Sequence, residues 1–140
     1  MTRLVLIRHG EAQVALDGIL AGEEHCLGLS ELGRRQAEAL RDRFEQTGEL
    51  GKVGAFYAST VPRARETAQI IAPGIGDPML RLERDLREFD AGSAHGMTWE
   101  EFDERYPQPE VFDPHRPRAP GAETWAQFGE RVESALSKIV

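Results

Sequence analysis

Hydrophobic residues fall into short continuous runs in some parts of the chain and at helical spacing in others. Residues 4–7 form an unbroken apolar run, typical of a strand buried on both faces of a parallel sheet. A helix is predicted from Ser30, a candidate N-cap, to Gly48, a candidate stop. One face of that helix carries Leu32, Gln36, Ala37, Leu40 and Phe44.

The same two patterns recur further along the chain. Residues 53–58 predict a second strand, followed by a helix with Pro62 in its first turn, capped by Ser59 or Thr60 and ended by Pro73-Gly74. A short third strand is predicted around Leu80 and Leu82, a short helix at Thr98, and a final amphipathic helix from Glu123 onward. Between these two helices, residues 108–120 contain four prolines and predict an extended surface loop, and residues 11–28 predict another loop.

Alternating strands and helices predict an α/β fold. We expect a three-layer α/β/α arrangement with a mostly parallel central sheet, built as a single domain over residues 1–140. Ligands of such sheets bind at the carboxyl ends of the strands. Because residues 8–9 follow the first predicted strand and residues 59–63 follow the second, both segments should meet at one edge.

Composition narrows the classes of partner. A net charge of −7 argues against nucleic-acid binding. Cys26 is the only cysteine, which excludes an internal disulfide and fits a reducing cytoplasm. The apolar run near the N-terminus is too short to cross a membrane. We therefore expect a cytoplasmic protein with no nucleic-acid or membrane partner.

The segment Arg8-His9-Gly10-Glu11 has the composition of a phosphate site with a nucleophile. An arginine supplies a fixed cation for phosphoryl oxygens, and a glycine lets the backbone approach them closely. A histidine can form a covalent phospho-intermediate, which splits one difficult step into two easier ones. The alternative is an Arg-His pair at a strand end with no chemical role.

Two further segments carry candidate chemistry. Arg63, in the first turn of its helix, can bind an anion together with the helix dipole; alternatively it pairs with Glu66 on a solvated face. Glu88 could protonate a leaving oxygen, a role that partial burial would favour. Asp85 and Asp90 are neighbouring candidates, and the alternative is an acidic loop without a catalytic role.

These motifs, taken in order, resemble the histidine phosphatase superfamily, whose best-known branch contains the cofactor-dependent phosphoglycerate mutases. The resemblance extends over nearly the whole chain. It is carried by Arg8-His9-Gly10-Glu11, Leu29-Ser30-Glu31-Leu32-Gly33-Arg34-Arg35-Gln36-Ala37, Tyr57-Ala58-Ser59, Arg63-Ala64, Thr67-Ala68, Leu86, Glu88, Gly92, Gly96 and Pro120-Gly121-Ala122-Glu123.

The resemblance implies a role for each candidate. His9 would be the nucleophile that becomes phosphohistidine, Arg8 and Arg63 would bind the phosphoryl group, and Glu88 would donate the proton. The substrate would be a small phosphorylated molecule. Neither a metal nor another cofactor is expected, and the remaining histidines show no ligand spacing with Cys26 or with carboxylates.

The chain also departs from the family pattern. The family's second active-site histidine lies in a His-Gly pair after a later strand, whereas this sequence stops at Val140. His95-Gly96 follows no apolar strand and is not expected to replace it. We expect a chain truncated before the last family strands, with an exposed sheet edge open to homo-oligomerisation or strand exchange.

Three functions remain open from the sequence. The first is a phosphatase that hydrolyses a small phosphomonoester through phospho-His9. The second is a phosphoglycerate mutase-type transfer, disfavoured because its covering loops look short and Ala15 stands where the family often has asparagine. The third is a catalytically weak phosphate-binding fragment or regulatory remnant, which the missing histidine would explain.

Overall fold

The computed structural model describes residues 2–140 and has an α/β fold. Seven helices and strands follow in the order α1 (Gln13–Leu16), α2 (Glu31–Thr47), β1 (Phe56–Ser59), α3 (Pro62–Ile71), β2 (Leu80–Glu83), α4 (Trp99–Arg105) and α5 (Trp125–Ile139). Three 3₁₀ turns lie between them, at Ala72–Ile75, Arg84–Leu86 and Gly92–Ala94. Strands β1 and β2 pair in parallel, with Phe56 opposite Leu80 and Ser59 opposite Glu83.

Two small apolar clusters hold these elements together. One joins α2, α3 and β1 through Leu29, Ala37 and Ile71, with Leu40, Phe56 and Ile70 packed against them. The other lies beneath α4 and contains Ala91, Ala94, Phe102 and Ala119. The first cluster fixes the helices whose N-terminal ends border the candidate site.

The predicted helices and the third strand are confirmed. Ser30 caps α2 by accepting a hydrogen bond from the Gly33 amide, and Gly48 ends it in the left-handed conformation at φ 60°. Thr98 and Thr124 begin α4 and α5, each with a capping box. Residues 108–120 contain no helix or strand, in agreement with the predicted loop.

The predicted first strand is wrong. Residues 4–7 form no ladder with β1 or β2, and their side chains are exposed, Leu6 by 76%. A strand exists only through hydrogen bonds to a neighbour, and no described strand lies beside this run. The sequence pattern shows how apolar a segment is, but it does not show whether a neighbouring strand is there to pair with it.

Several boundaries also differ from the predictions. Strand β1 begins at Phe56 rather than residue 53. Helix α3 has Val61 as its N-cap rather than Ser59 or Thr60, and the Ser59 hydroxyl accepts a hydrogen bond from the Val61 amide outside the helix. Helix α3 ends at Ile71, two residues before Pro73-Gly74, and the chain continues through that pair as the 3₁₀ turn Ala72–Ile75. The loop predicted over residues 11–28 contains the short helix α1.

Within residues 2–140, no helix is both long and apolar enough to span a bilayer.

Candidate active site

Arg63 is the centre of the candidate site. Pro62 opens α3 and places Arg63 in its first turn, where the guanidinium is buried with only 8% of its side chain exposed. Its Nε donates to His9 Nε2 over 3.1 Å, and its Nη1 donates to the Ala21 carbonyl over 3.3 Å. Its Nη2 lies 4.0 Å from a carboxylate oxygen of Glu88. Three segments far apart in sequence therefore meet at one cation, and the interpretation of Arg63 as a solvated helix residue is wrong.

The ring of His9 is held in one tautomer. Its Nδ1 lies 2.6 Å from the Gly10 carbonyl, and because a carbonyl oxygen can only accept, Nδ1 carries the proton. The lone pair of Nε2 then points to the Arg63 guanidinium. Burial lowers the pKa of His9 below its ordinary value; the Gly10 carbonyl opposes this shift, while the positive charges of Arg63 and Arg8 add to it. The neutral form, which alone has a free lone pair, is favoured.

The backbone around His9 lies tightly against two helices. The Gly10 amide donates to the Thr67 hydroxyl over 3.2 Å, and that hydroxyl donates to the Arg63 carbonyl over 2.8 Å. A Cβ atom at Gly10 would come within 2.4 Å of the Gly33 carbonyl oxygen. Glycine is thus required for this close approach, which fixes the distance from the His9 loop to α2.

Glu11 connects the same loop to the start of α2. Its carboxylate accepts a 2.6 Å hydrogen bond from the Ser30 hydroxyl, and its carbonyl accepts one from the Ser30 amide. Its own amide donates to the side chain of Gln36. Glu11 therefore acts within the structure as an anchor of the His9 loop.

Glu88 lies at the open side of the site. Its side chain is 58% exposed, so solvent reaches more of it than is covered by the protein. One carboxylate oxygen accepts a hydrogen bond from the Phe89 amide, and the other faces Arg63. The residue follows the 3₁₀ turn that succeeds β2, and this loop lies at the surface, where solvent reaches it.

Arg8 is exposed and makes no side-chain hydrogen bond to another described residue. Its charge nevertheless acts on the His9 ring, as the direction of the pKa shift of His9 indicates. Its expected binding of a phosphoryl group remains a prediction. Arg65, two residues beyond Arg63, is exposed and points away from the site, as the helical spacing predicts.

His95 uses both ring nitrogens within the protein. Its Nδ1 accepts a hydrogen bond from the Gly22 amide at 3.0 Å, and its Nε2 donates to Asp90 at 2.9 Å. The Gly92 amide and the His95 ring together lower the pKa of Asp90. His95 thus ties the loop carrying Ala21 to the loop carrying Glu88, and it has no nitrogen left for a substrate in this arrangement.

Sequence reasoning missed two contacts of the site. The Ala21 carbonyl that holds Arg63 belongs to a loop without periodicity, and no residue type marks it. Thr67 was noted only as part of the family pattern, and its contact with the His9 loop could have been predicted, because it lies four residues after Arg63 and therefore on the same face of α3.

The family model of the histidine phosphatase superfamily (branch 1) matches residues 4–140. The chain belongs to this superfamily. The resemblance carried by the sequence motifs is thereby confirmed.

Curated relatives within the histidine phosphatase superfamily are longer than this chain. It is 35% identical over 141 residues to a 6-phosphofructo-2-kinase/fructose-2,6-bisphosphatase of Gallus gallus, covering 97% of this chain and 27% of that protein. It is 32% identical to a metal-independent phosphoserine phosphatase of Arabidopsis thaliana, covering 99% of this chain and 58% of that protein. The chain thus spans less than two thirds of the length of either relative.

Two solved structures share the fold of this chain. A mycobacterial glucosyl-3-phosphoglycerate phosphatase in complex with VO3 superposes with a TM-score of 0.77 over 94% of this chain and 63% of that one, at 24% identity. A protein from Thermus thermophilus gives a TM-score of 0.67 at 30% identity, over 94% of this chain and 69% of its own. The mycobacterial match supports the α/β fold alone, because its identity is low.

Proposed function

We propose that this chain hydrolyses small phosphomonoesters through a phosphohistidine intermediate on His9. The observation that carries the proposal is the 3.1 Å hydrogen bond between Arg63 Nε and His9 Nε2, with Nδ1 bound to the Gly10 carbonyl. A phosphoryl group bound by the Arg63 guanidinium would lie beside the lone pair of Nε2. The ring is already in the tautomer that a nucleophile needs.

In the first step, the Nε2 lone pair attacks phosphorus and the bond from phosphorus to the ester oxygen breaks. Glu88 in its protonated form transfers its proton to that departing oxygen, so an alcohol leaves. The carboxyl group lies 4.0 Å from Nη2 of Arg63, close to where the ester oxygen of a bound substrate would be. The products of this step are phospho-His9 and the Glu88 carboxylate.

In the second step, water attacks the phosphorus atom and the bond from phosphorus to Nε2 breaks. Glu88 now accepts the proton of the attacking water, which restores its acid form and neutral His9. Inorganic phosphate leaves. Arg63, with Arg8, would neutralise the oxygens of the phosphoryl group in both steps, and such positioning and charge stabilisation dominate phosphoryl transfer.

Two observations favour hydrolysis over mutase-type transfer. A mutase has to keep water from its phosphohistidine, whereas the Glu88 side chain is 58% exposed. Several relatives carry a phosphatase name, among them a 6-phosphofructo-2-kinase/fructose-2,6-bisphosphatase and a metal-independent phosphoserine phosphatase, whereas another is named a phosphoglycerate mutase-like protein. The name of the phosphoserine phosphatase also fits the expectation that this chain needs no metal.

Phosphate release from p-nitrophenyl phosphate, with a chelator present, tests the proposal on the whole chain. We expect turnover by the natural sequence and none by His9→Ala. His115→Ala is the matched control, because His115 is exposed in the proline-rich loop, and it should keep full activity. Equal phosphate release by His9→Ala and the natural sequence would overturn the assignment of His9 as the nucleophile. No release from a folded natural sequence would overturn hydrolysis, and a phosphate-binding remnant would then account for the site.

A further inference from the structure

Arg131, on the inner face of α5, contacts the loop that carries Glu88. Only 12% of its side chain is exposed, and the guanidinium binds both carboxylate oxygens of Glu123 at 2.7 Å. This is the fork-to-fork pairing that arginine makes best. It orients the guanidinium plane in one direction.

The remaining donors of Arg131 are directed at the backbone of residues 85–90, here called the acid loop. Nη1 donates to the Asp85 carbonyl at 2.8 Å and to the Arg87 carbonyl at 3.2 Å. Nη2 lies 3.5 Å from the carbonyl of Glu88 itself. One side chain therefore binds three carbonyls of the segment that carries the candidate acid.

Glu123 fastens the far end of the acid loop. Its amide donates to the Asp90 carbonyl at 2.9 Å, and its carboxylate accepts from the Asp90 amide at 3.3 Å. The hydrogen bonds from Arg131 lower the pKa of Glu123 below its ordinary value, so the carboxylate stays charged and the pair intact. Together, Arg131 and Glu123 hold both ends of a six-residue loop.

The Glu88 side chain has few restraints of its own. It is mostly exposed, and among residues 2–140 its carboxylate accepts a single hydrogen bond, from the adjacent Phe89 amide. Its place opposite Arg63 is therefore set by the backbone beneath it. A displacement of about 1 Å in a reacting group can reduce a rate about 10²-fold.

We propose that Arg131, paired with Glu123, is a positioning residue that holds Glu88 where it can protonate the leaving oxygen. The inference rests on the proposed function, in which Glu88 is the acid. It assigns to α5 a part in the proton-transfer step, although Arg131 touches no reacting atom. Lysine could not substitute for it, because an ammonium group lacks the planar fork that binds Glu123 and the carbonyls at once.

The test is Arg131→Lys, assayed on an aryl phosphate with a good leaving group and on an alkyl phosphate with a poor one. A displaced acid matters most for the poor leaving group. Because kcat/KM reports the step in which the alcohol leaves, and not the later hydrolysis of phospho-His9, we expect kcat/KM on the alkyl ester to fall about 10²-fold, with a smaller loss on the aryl ester. When Glu88→Gln is already present, Arg131→Lys should reduce kcat/KM little further, because the acid has been removed.

Arg118→Lys is the matched control. Its side chain is also largely buried, with 19% exposed. It pairs with Asp103 and donates to the Tyr106 carbonyl, and neither of these partners contacts Arg63. It should leave the ratio of alkyl to aryl rates unchanged. Equal losses on both esters in Arg131→Lys, or a full additional loss in the double variant, would overturn the proposal.

Hydrogen exchange gives a readout that does not depend on turnover. In Arg131→Lys, amide exchange should rise in residues 85–90 and stay unchanged around His9 and Arg63. Unchanged exchange in residues 85–90 would overturn the positioning role whether or not the chain is active. An absence of His9-dependent turnover, with faster exchange in residues 85–90, would instead overturn the proposed function and leave the contact between Arg131 and this loop standing.

Discussion

His9 illustrates how a single residue is prepared by its neighbours rather than by its own chemistry. The Gly10 carbonyl selects the tautomer, and burial together with two arginines favours the neutral ring. The motif allowed us to predict His9, Arg63 and Glu88 as candidates, and the structure brings the three together. The sequence did not predict that Glu88 is exposed or that the Ala21 carbonyl binds Arg63. Both features depend on the path of loops whose sequences have no repeating pattern.

The lowered pKa of His9 predicts the acidic side of the pH–rate profile. Catalysis needs the unprotonated ring, so activity is lost only as pH falls through the pKa of His9 in the folded protein. That loss should occur below the ordinary histidine value of about 6.5. The pH dependence of kcat/KM, together with an NMR titration of the His9 ring, measures it. A ring that titrates at or above about 6.5 would contradict the account.

Arg63 should contribute most of the affinity for phosphate. Arg63→Ala removes the buried guanidinium, and hydrogen bonds to charged groups contribute roughly 1.5–3 kcal/mol. We expect binding of inorganic phosphate, followed by calorimetry, to weaken at least about tenfold. Arg65→Ala is the control on the same helix, because that side chain is exposed and points away. Equal affinities in the two variants would contradict the placement of Arg63 at the phosphate.

At the level of elements, helices were more predictable than strands for a physical reason. A helix satisfies its own backbone, so caps such as Ser30 and Thr98 mark its start within the local sequence. A strand is satisfied by another strand, which local sequence does not show. Accordingly α2, α4 and α5 were predicted closely, whereas residues 4–7 were predicted as a strand and form none.

The packing of α2 against the His9 loop gives a prediction with an unusual sign. Alanine normally stabilises a helix over glycine by about 1 kcal/mol. At Gly33, however, a Cβ atom would lie 2.0 Å from the Glu11 carbonyl oxygen. Gly33→Ala should therefore destabilise the protein, by roughly 1–3 kcal/mol, as overpacking does.

Gly129 provides the comparison for Gly33. It lies in α5, and a Cβ atom there would meet nothing within 4 Å, so Gly129→Ala should stabilise the fold by about 0.5–1 kcal/mol. Urea unfolding of both variants measures the two changes in the free energy of unfolding. An increase in the free energy of unfolding on Gly33→Ala would contradict the close contact between the Glu11 backbone and α2.

At the level of the whole molecule, the family, the α/β class and the meeting of distant motifs followed from the sequence. The exposure of the apolar run did not. Leu4, Leu6 and Ile7 are each more than one third exposed, and the described sheet has two strands, neither of which pairs with this run. Unpaired strands and exposed apolar residues promote association, so the expected homo-oligomer or strand exchange remains a prediction.

Sedimentation velocity over a range of concentrations tests that prediction. We expect the chain to associate as its concentration rises, and Leu6→Lys, which places a charge in the most exposed position of the run, to weaken association. Thr47→Lys, at the exposed end of α2, is a charge-matched control that should leave it unchanged. A monomer at every concentration would contradict the prediction.

The most direct test of the central claim is to trap the phosphoenzyme. The whole chain is mixed rapidly with an aryl phosphate, quenched in alkali to preserve an acid-labile phosphoramidate, digested and sequenced by mass spectrometry. The account predicts one phosphoryl group on the peptide containing His9, lost on acid treatment and absent from His9→Ala. Turnover without a phosphoryl group on His9, or with the group on another residue, would contradict it.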